Sequence, residues 1–245
     1  MLINWVAALE PLTKAGWMWG TDGKFRMANP GQPHDTPWLH APVFIPKTRE
    51  AGVDCGILTI FHNYVFQQKA VHSFCMECYK VVVIPESLAQ VHKIAEWQST
   101  LGLACKVGAE RRTYTQRVWG AYFYCRGVEE GRERYKMVRE WVDENLGKDI
   151  KVFLKRACTE FEQNLGDSDK WEKIEHQDEL EKEGLEEVFN YELSKDFQAE
   201  NIRHHVWDIW DDWDRKNQPP VTYHNEKQWR NNGRLFGRAR TSSPA

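Results

Sequence analysis

The segment that most constrains the fold is the β-branched run Lys80–Ile84, together with the residues that directly follow it. A short apolar run of this kind is typical of a buried strand. Pro85 ends the run, and Ser87 has the side chain preferred at a helix N-cap. The apolar spacing after Ser87 predicts a helix that Gly102 closes. The segment therefore predicts a buried strand followed at once by an amphipathic helix.

The same alternation continues downstream. The sequence predicts two further strands, over residues 110–115 and 117–125. A long amphipathic helix over 128–146, which Gly147 stops, and a last short strand over 150–154 follow. The resulting order is β-α-β-β-α-β, which is the ferredoxin-like arrangement, and it covers residues 79–158. We therefore expect an α+β protein with a ferredoxin-like βαββαβ core.

The remaining chain predicts an irregular N-terminal region and an acidic helical C-terminal region around this core. Residues 1–78 contain closely spaced prolines and a strand-like stretch over 55–66. Residues 159–214 are rich in Asp and Glu and have helical periodicity, and residues 215–245 form a basic, polar tail.

Composition narrows the class of protein. Hydrophobic residues make up 41% of the chain and charged residues 28%, as in ordinary globular proteins. No apolar stretch is long enough to span a membrane, and the N-terminus lacks the features of a signal peptide. Six cysteines in 245 residues do not indicate a secreted disulfide framework. We therefore expect a cytoplasmic, reducing location and no membrane partner.

The cysteines are the main candidates for chemistry. In the spatial order 4-1-3-2, Cys75 and Cys78 precede the first core strand, Cys125 ends the third and Cys158 follows the fourth. All four then lie at one end of the sheet, where neighbouring strands are about 4.8 Å apart. Four thiolates at one point are typical of tetrahedral zinc, with an iron–sulfur cluster as the alternative. Buried thiols without a metal remain the structural alternative.

Three other residues are weaker candidates for metal ligands at the same site. Cys105 is expected at the same end, and Cys55 would join from the preceding strand. His72 would either replace one thiolate or, as we favour, lie at the surface or cap a helix.

Basic residues are predicted around the same end of the sheet. They are Lys106, Arg111, Arg112, Arg126, Lys155 and Arg156. Such a group of cations suits nucleic acid or a phosphate-bearing small molecule, and it would also stabilise thiolates. Glu110 and Glu160 lie nearby, where they would act as acid or base or pair with these cations.

The third predicted strand partly resembles the signature strand of the RNA-recognition motif. The matching residues are Arg117, Trp119, Gly120 and Tyr124, and the departures are Val118, Ala121 and Tyr122. Period-two alternation places Tyr122 and Tyr124 on one face of the strand, where they would stack on bases if that face is exposed. The alternative is that another helix covers this face and makes both tyrosines part of the core.

The segment Arg203–Asp214 has two interpretations. His204, Asp208 and Asp212 are spaced as metal ligands on one helix face. The apolar residues between them instead indicate an amphipathic helix that packs through its tryptophans, and we favour this second interpretation.

These observations lead to one leading hypothesis and two alternatives. The leading hypothesis is a zinc-binding protein that engages nucleic acid or a phosphate-bearing ligand at the basic, cysteine-rich end of the sheet. The alternatives are an iron–sulfur or thiol-dependent redox enzyme and a structural protein with buried thiols. Whether the protein is an enzyme stays open at this point.

Overall fold

The chain folds into a mixed α+β structure. The computed structural model describes residues 3–27, 37–40, 55–115, 117–189 and 200–217. Over these residues, helices combine with a five-stranded and a two-stranded antiparallel sheet. No helix within the described ranges is long and apolar enough to cross a membrane.

The helices and strands have the following bounds. The described helices are α1 (Trp5–Thr13), α2 (Cys55–Ile60), α3 (Ser73–Met76), α4 (Leu88–Thr100), α5 (Gly127–Asn145), α6 (Thr159–Leu165), α7 (Gln177–Glu183) and α8 (Glu200–Asn217). The described strands are β1 (Trp17–Trp19), β2 (Phe25–Met27), β3 (Trp38–His40), β4 (Cys78–Ile84), β5 (Cys105–Ala109), β6 (Trp119–Arg126) and β7 (Lys151–Arg156). Helix α2 continues into a π-helical turn over Phe61–Val65, and α7 continues into another over Gly184–Val188.

The five-stranded sheet has the strand order β3-β5-β6-β4-β7. Strand β4 pairs antiparallel with both β6 and β7, so Val81 lies opposite Phe123 and Leu154. Side chains alternate between the two faces of a strand. Val81 and Phe123 therefore point to one face of the sheet, while Lys80 points to the other.

Helices α4, α5 and α8 pack on the face that carries Val81. Ser87 caps α4 as expected, because its Oγ accepts a hydrogen bond from the backbone N–H of Gln90 at 3.3 Å. The main hydrophobic cluster combines strand residues with buried residues of these helices, namely Val91, Ile94, Val138, Val142, Val206 and Trp210. Burying each aliphatic side chain contributes roughly 1.5–3 kcal/mol. This layer holds α4 and α5 against the sheet.

A second hydrophobic cluster lies beside the sheet and is rich in aromatic rings. Trp5 on α1 makes edge contacts with Phe61 and Phe189, with ring centroids 6.1 and 6.2 Å apart. Cys75 and Phe161 belong to the same cluster. The N-terminal region and the segment after β7 are therefore packed together.

The strand predicted over residues 55–66 is wrong, because this segment is helical. Ile57, Leu58, Phe61 and Val65 are all buried in the second cluster. Their spacing is that of one helix face. Burial of this face outweighs the preference of β-branched and aromatic residues for strands.

The strand predicted over residues 110–115 is also wrong, because β5 ends at Ala109. The strand contains Gly108, which lies directly against the edge strand β3. A Cβ atom at this position would overlap the carbonyl oxygen of Pro37. The close approach of the two backbones therefore requires a residue without a side chain at this position. Small residues are weak signals of a strand, so the sequence did not reveal the true position of β5.

The C-terminal expectations have different outcomes. Helix α8 packs on the main cluster through Val206, Trp210 and Trp213, whereas His204 and Asp208 are exposed. The amphipathic interpretation of this helix is therefore confirmed. The predicted basic tail lies outside the described residues beyond Asn217.

Candidate functional site

A cavity of about 350 Å³ lies on the sheet face opposite α4 and α5. Strands β4, β5 and β6 form one wall, while α2 and α6 contribute the others. Its charged and polar lining residues are Lys80, Lys106, Arg112, Tyr122, Tyr124, Glu160, His62, Asn63, Asn164 and Thr59. Four thiols also line it, those of Cys55, Cys75, Cys78 and Cys158. A volume of this size is in the range of small-molecule sites.

Lys80 is the most deeply buried cation of the cavity. It is 6% exposed, and its Nζ donates to Sγ of Cys158 at 3.3 Å. Burial alone lowers the pKa of Lys80, but the charges of Cys158, Cys78 and Tyr122 outweigh burial and raise it above its usual value. Lys80 is therefore protonated at neutral pH and lies next to a thiol.

Lys106 is the second cation of the cavity. Its Nζ lies 4.5 Å from the ring centroid of Trp38 and 5.5 Å from that of Tyr122. Its side chain keeps some contact with solvent, but its ammonium group is buried. Burial and the nearby charge of Lys80 lower the pKa of Lys106 to about 8. Within the described part of the chain, neither lysine forms an ion pair with a carboxylate.

Arg112 differs from the two lysines because carboxylates surround it. It forms ion pairs with Glu110 and Glu160, and its Nη2 donates to Oη of Tyr122 at 3.0 Å. Burial raises the pKa of Glu160, but a backbone hydrogen bond and the charge of Arg112 lower it to about 2. Burial likewise raises the pKa of Glu110, and hydrogen bonds from Arg112 bring it below its usual value. Both carboxylates are therefore ionised at neutral pH and do not donate protons.

Tyr122 forms part of the cavity floor and is 3% exposed. Its hydroxyl donates to Oε2 of Glu110 at 2.9 Å and accepts from Arg112 and Arg117. Burial and the charge of Glu110 raise the pKa of Tyr122 to about 12. Burial also raises the pKa of Tyr124. Because Tyr122 is buried, its ring is not exposed for stacking on a base from solvent.

Cys158 is positioned by the end of β7. Strand β7 ends at Arg156, Ala157 has a φ of +49°, and Cys158 is the N-cap residue of α6. Its side chain does not cap the helix. The backbone N–H of Ala157 donates to the carbonyl of Cys78 at 2.7 Å, which holds the turn against the start of β4. Cys158 is thereby directed towards Lys80.

The structure divides the predicted thiol ligands between the two faces of the sheet. Cys75, Cys78 and Cys158 line the cavity, whereas Cys125 belongs to the main cluster on the helix-covered face. Cys125 is separated from the cavity because Tyr124, its neighbour on β6, points to the opposite face. The prediction located the strand ends but did not account for this alternation.

The other predicted ligands are also dispersed. Cys105 is buried on the helix-covered face, where burial raises its pKa to about 12. His72 packs against Phe61 and Phe74 in the second cluster. Among the residues that the structure describes, no group of three or more His, Cys, Asp or Glu side chains is arranged to hold a metal ion.

The predicted cations are only partly brought together. Lys106 and Arg112 line the cavity. Lys155 forms an ion pair with Glu162, and Arg156 donates to the carbonyls of Met76 and Ser168 at 2.6 and 2.7 Å. Two others lie outside the cavity lining: Arg111 lies over the Trp213 ring, and Arg126 is exposed. Lys155 and Arg156 are therefore occupied by internal partners.

Sequence reasoning missed five polar residues of the cavity, namely Lys80, Thr59, His62, Asn63 and Asn164. Lys80 was detectable, because a lysine inside a run of valines must point to the face opposite Val81. His62 and Asn164 gave no such signal. The Nδ1–H of His62 donates to the carbonyl of Ala70 at 2.7 Å, and its Nε2 accepts from Asn164 at 3.0 Å. Both ring nitrogens of His62 are therefore engaged.

The fold and the cavity together define an α+β protein with a buried cationic, thiol-lined site. No protein family, curated protein or solved structure matches the chain.

Proposed function

We propose that the protein binds a phosphate-bearing small molecule in this cavity, with Lys80 and Lys106 as the main cationic contacts. The carrying observation is that two buried ammonium groups face one cavity while no carboxylate within the described residues forms an ion pair with either. Keeping unpaired charges out of water costs several kcal/mol per ion. A bound phosphate would offset that cost by pairing with both groups.

The pKa of Lys106 supports the same proposal. Burial and repulsion from Lys80 lower this pKa to about 8. An anion between the two lysines would reverse the repulsion and favour the protonated form. Arg112 does not compete for this role, because Glu110 and Glu160 already pair with it.

The shape of the site favours a small molecule over a polymer. The cavity of about 350 Å³ suits a nucleotide-sized ligand. Leu58 and Phe161 provide apolar surface beside the cations. Because Tyr122 is buried, its ring is not an open platform of the kind on which single-stranded nucleic acids stack. Nucleic acid remains a predicted partner that the same experiment tests.

We further propose that residues 79–158 form a ferredoxin-like core with β3 as an added edge strand. The spatial order β7-β4-β6-β5 and the packing of α4 and α5 on one face support this assignment. In this arrangement the cavity occupies the sheet face that the two core helices leave uncovered.

Calorimetry at fixed ionic strength tests the binding proposal. The probes are inorganic phosphate, pyrophosphate, a nucleoside monophosphate and a short single-stranded DNA. We expect one or more of the small phosphates to bind. Lys80→Met and Lys106→Met should each weaken binding by at least about tenfold, which corresponds to about 1.4 kcal/mol.

The matched control is Lys151→Met, because Lys151 is an exposed lysine on the neighbouring strand β7. This variant should bind the same probe with unchanged affinity. Binding of the DNA alone would overturn the small-molecule proposal in favour of a nucleic-acid partner. A lack of binding by every probe at low salt would overturn both.

A further inference from the structure

The pairing of Lys80 with Cys158 suggests chemistry as well as binding. The Nζ of Lys80 donates to Sγ of Cys158 at 3.3 Å inside the cavity. The sulfur of Cys158 therefore lies at hydrogen-bond distance from a buried ammonium group, and cysteine sulfur is intrinsically a strong nucleophile. Any phosphate that contacts the Lys80 ammonium would also lie next to this sulfur.

We propose that Cys158 is a catalytic nucleophile that attacks the phosphoryl group of the bound phosphate ester, with Lys80 as its counter-ion. This inference rests on the proposed function, because the same lysine would hold the phosphate. The substrate class is a small phosphate monoester.

Cys158 is the thiol whose hydrogen bond to Lys80 lies in the cavity, although Cys55, Cys75 and Cys78 also line it. Cys105 and Cys125 lie on the helix-covered face, where burial raises the pKa of each. Cys75 is 5% exposed and belongs to the apolar second cluster. Cys158 combines partial solvent access with a direct contact to a buried ammonium group.

The cavity also constrains which group can assist the thiol. His62 has both ring nitrogens engaged, by Ala70 and Asn164, so it is not a base for Cys158. Glu160 is two residues from Cys158, but Arg112 binds it. A cysteine–histidine pair is therefore absent among the described cavity residues. Lys80 instead supplies the positive charge that a histidine supplies in such a pair.

The reaction has two balanced steps. The Cys158 thiolate forms an S–P bond while the P–O bond to the alcohol breaks, and the leaving oxygen takes a proton from the Lys106 ammonium. Water then attacks phosphorus and gives a proton to the Lys106 amine. The S–P bond breaks with its electron pair returning to sulfur, which releases inorganic phosphate.

The test uses p-nitrophenyl phosphate with the full chain and with Cys158→Ser. We expect the wild-type protein to release p-nitrophenol. The rate of release by Cys158→Ser should be at least about a hundredfold lower. The intact mass of rapidly quenched wild-type protein should show one added phosphoryl group, which peptide mapping assigns to Cys158. Cys125→Ser is the matched control, because its thiol lies on the opposite face, and it should retain the rate.

Alkylation of Cys158 tests the same inference on the wild-type protein, so that the result does not depend on whether a variant folds. Iodoacetamide should modify Cys158 of the wild-type protein, forming an S–C bond with loss of iodide, and inorganic phosphate should slow this reaction. Turnover that survives in Cys158→Ser, or alkylation of Cys158 that bound phosphate does not slow, would overturn the inference.

Calorimetry on the same samples separates the two proposals. If inorganic phosphate binds but p-nitrophenol is not released, the nucleophile proposal is wrong and the binding proposal stands. If phosphate does not bind and the small phosphate esters also fail, the binding proposal is wrong and the nucleophile proposal falls with it.

Discussion

Lys80 and Cys158 are in contact across β4 and β7, although 78 positions separate them in the chain. The antiparallel register of these strands, in which Lys80 lies opposite Lys155, produces the contact. A slip of β4 by one residue would turn Val81 towards the cavity and Lys80 into the main cluster. The site therefore depends on the register of the sheet.

Removing the charge of Lys106 should stabilise the protein. The pKa of Lys106 falls from its usual 10.5 to about 8 in the folded state. At pH 7 the lysine is charged in both states, so the folded state bears the full cost of burial. We expect Lys106→Met to raise the free energy of unfolding at pH 7 on the order of 1–3 kcal/mol. Denaturant unfolding measures this change, with Lys151→Met as control.

The same shift predicts the pH dependence of stability. Between pH 8 and pH 10.5 the folded protein releases the Lys106 proton while the unfolded chain retains it. The contribution of Lys106 to the free energy of unfolding should therefore rise with pH across that window. Lys106→Met should lack this rise. A variant that unfolds more easily than the wild type at pH 7 would contradict the interpretation of Lys106 as a buried charge with no carboxylate partner in the described part of the chain.

A phosphate ligand should raise the melting temperature. At a concentration one hundred times its Kd, a ligand specific to the folded state stabilises it by about 2.7 kcal/mol. For a chain of this length, we expect an increase of roughly 5–10 °C. Chloride at equal ionic strength is the control, and an equal shift with chloride would show that the effect is only screening.

The predicted zinc is tested by metal analysis of the purified protein. If metal is present, Cys78→Ser should release it and lower the melting temperature, because binding energy contributes to folding. Cys125→Ser should retain the metal, because Cys125 lies in the main cluster on the opposite face from Cys78. A colourless protein with stoichiometric zinc supports the zinc prediction, and a brown one with iron and sulfide supports the iron–sulfur alternative. Metal-free protein would contradict both.

Gly108→Ala should destabilise the edge of the sheet. A Cβ atom at Gly108 would overlap backbone atoms of Pro37, which cannot rotate away. We expect a loss of about 1–3 kcal/mol of unfolding free energy. Gly131→Ala is the matched control. Its Cβ would meet the end of the flexible Leu154 side chain, and alanine is the better helix former. Equal losses for both variants would contradict the importance of the β3 contact.

Several elements were predictable because their signals are local. The β4 strand, the Ser87 cap and the helix after it depend on residues adjacent in sequence. Residues 55–66 and 110–115 were assigned wrongly because distant contacts outweigh their propensities. Burial against Trp5 and Phe189 selects the helix in the first case.

The candidate site was predictable only in part. Lys106, Arg112, Cys78 and Cys158 were expected at one end of the sheet, and all four line the cavity. Pairing with the nearby cations was one of the two roles expected of Glu110 and Glu160, and it is confirmed because both bind Arg112. The sequence does not reveal that His62 on the π-helical turn reaches this site.

The sequence by itself determined the order of strands and helices around β4, because hydrophobic periodicity and helix caps act over a few residues. Only the tertiary structure decided which face each cysteine and lysine occupies. That choice depends on strand register and on the packing of α2 and α6, which are set by contacts between residues far apart in the chain. Those long-range contacts separate Cys125 from Cys158 and bring Lys80 to the thiol.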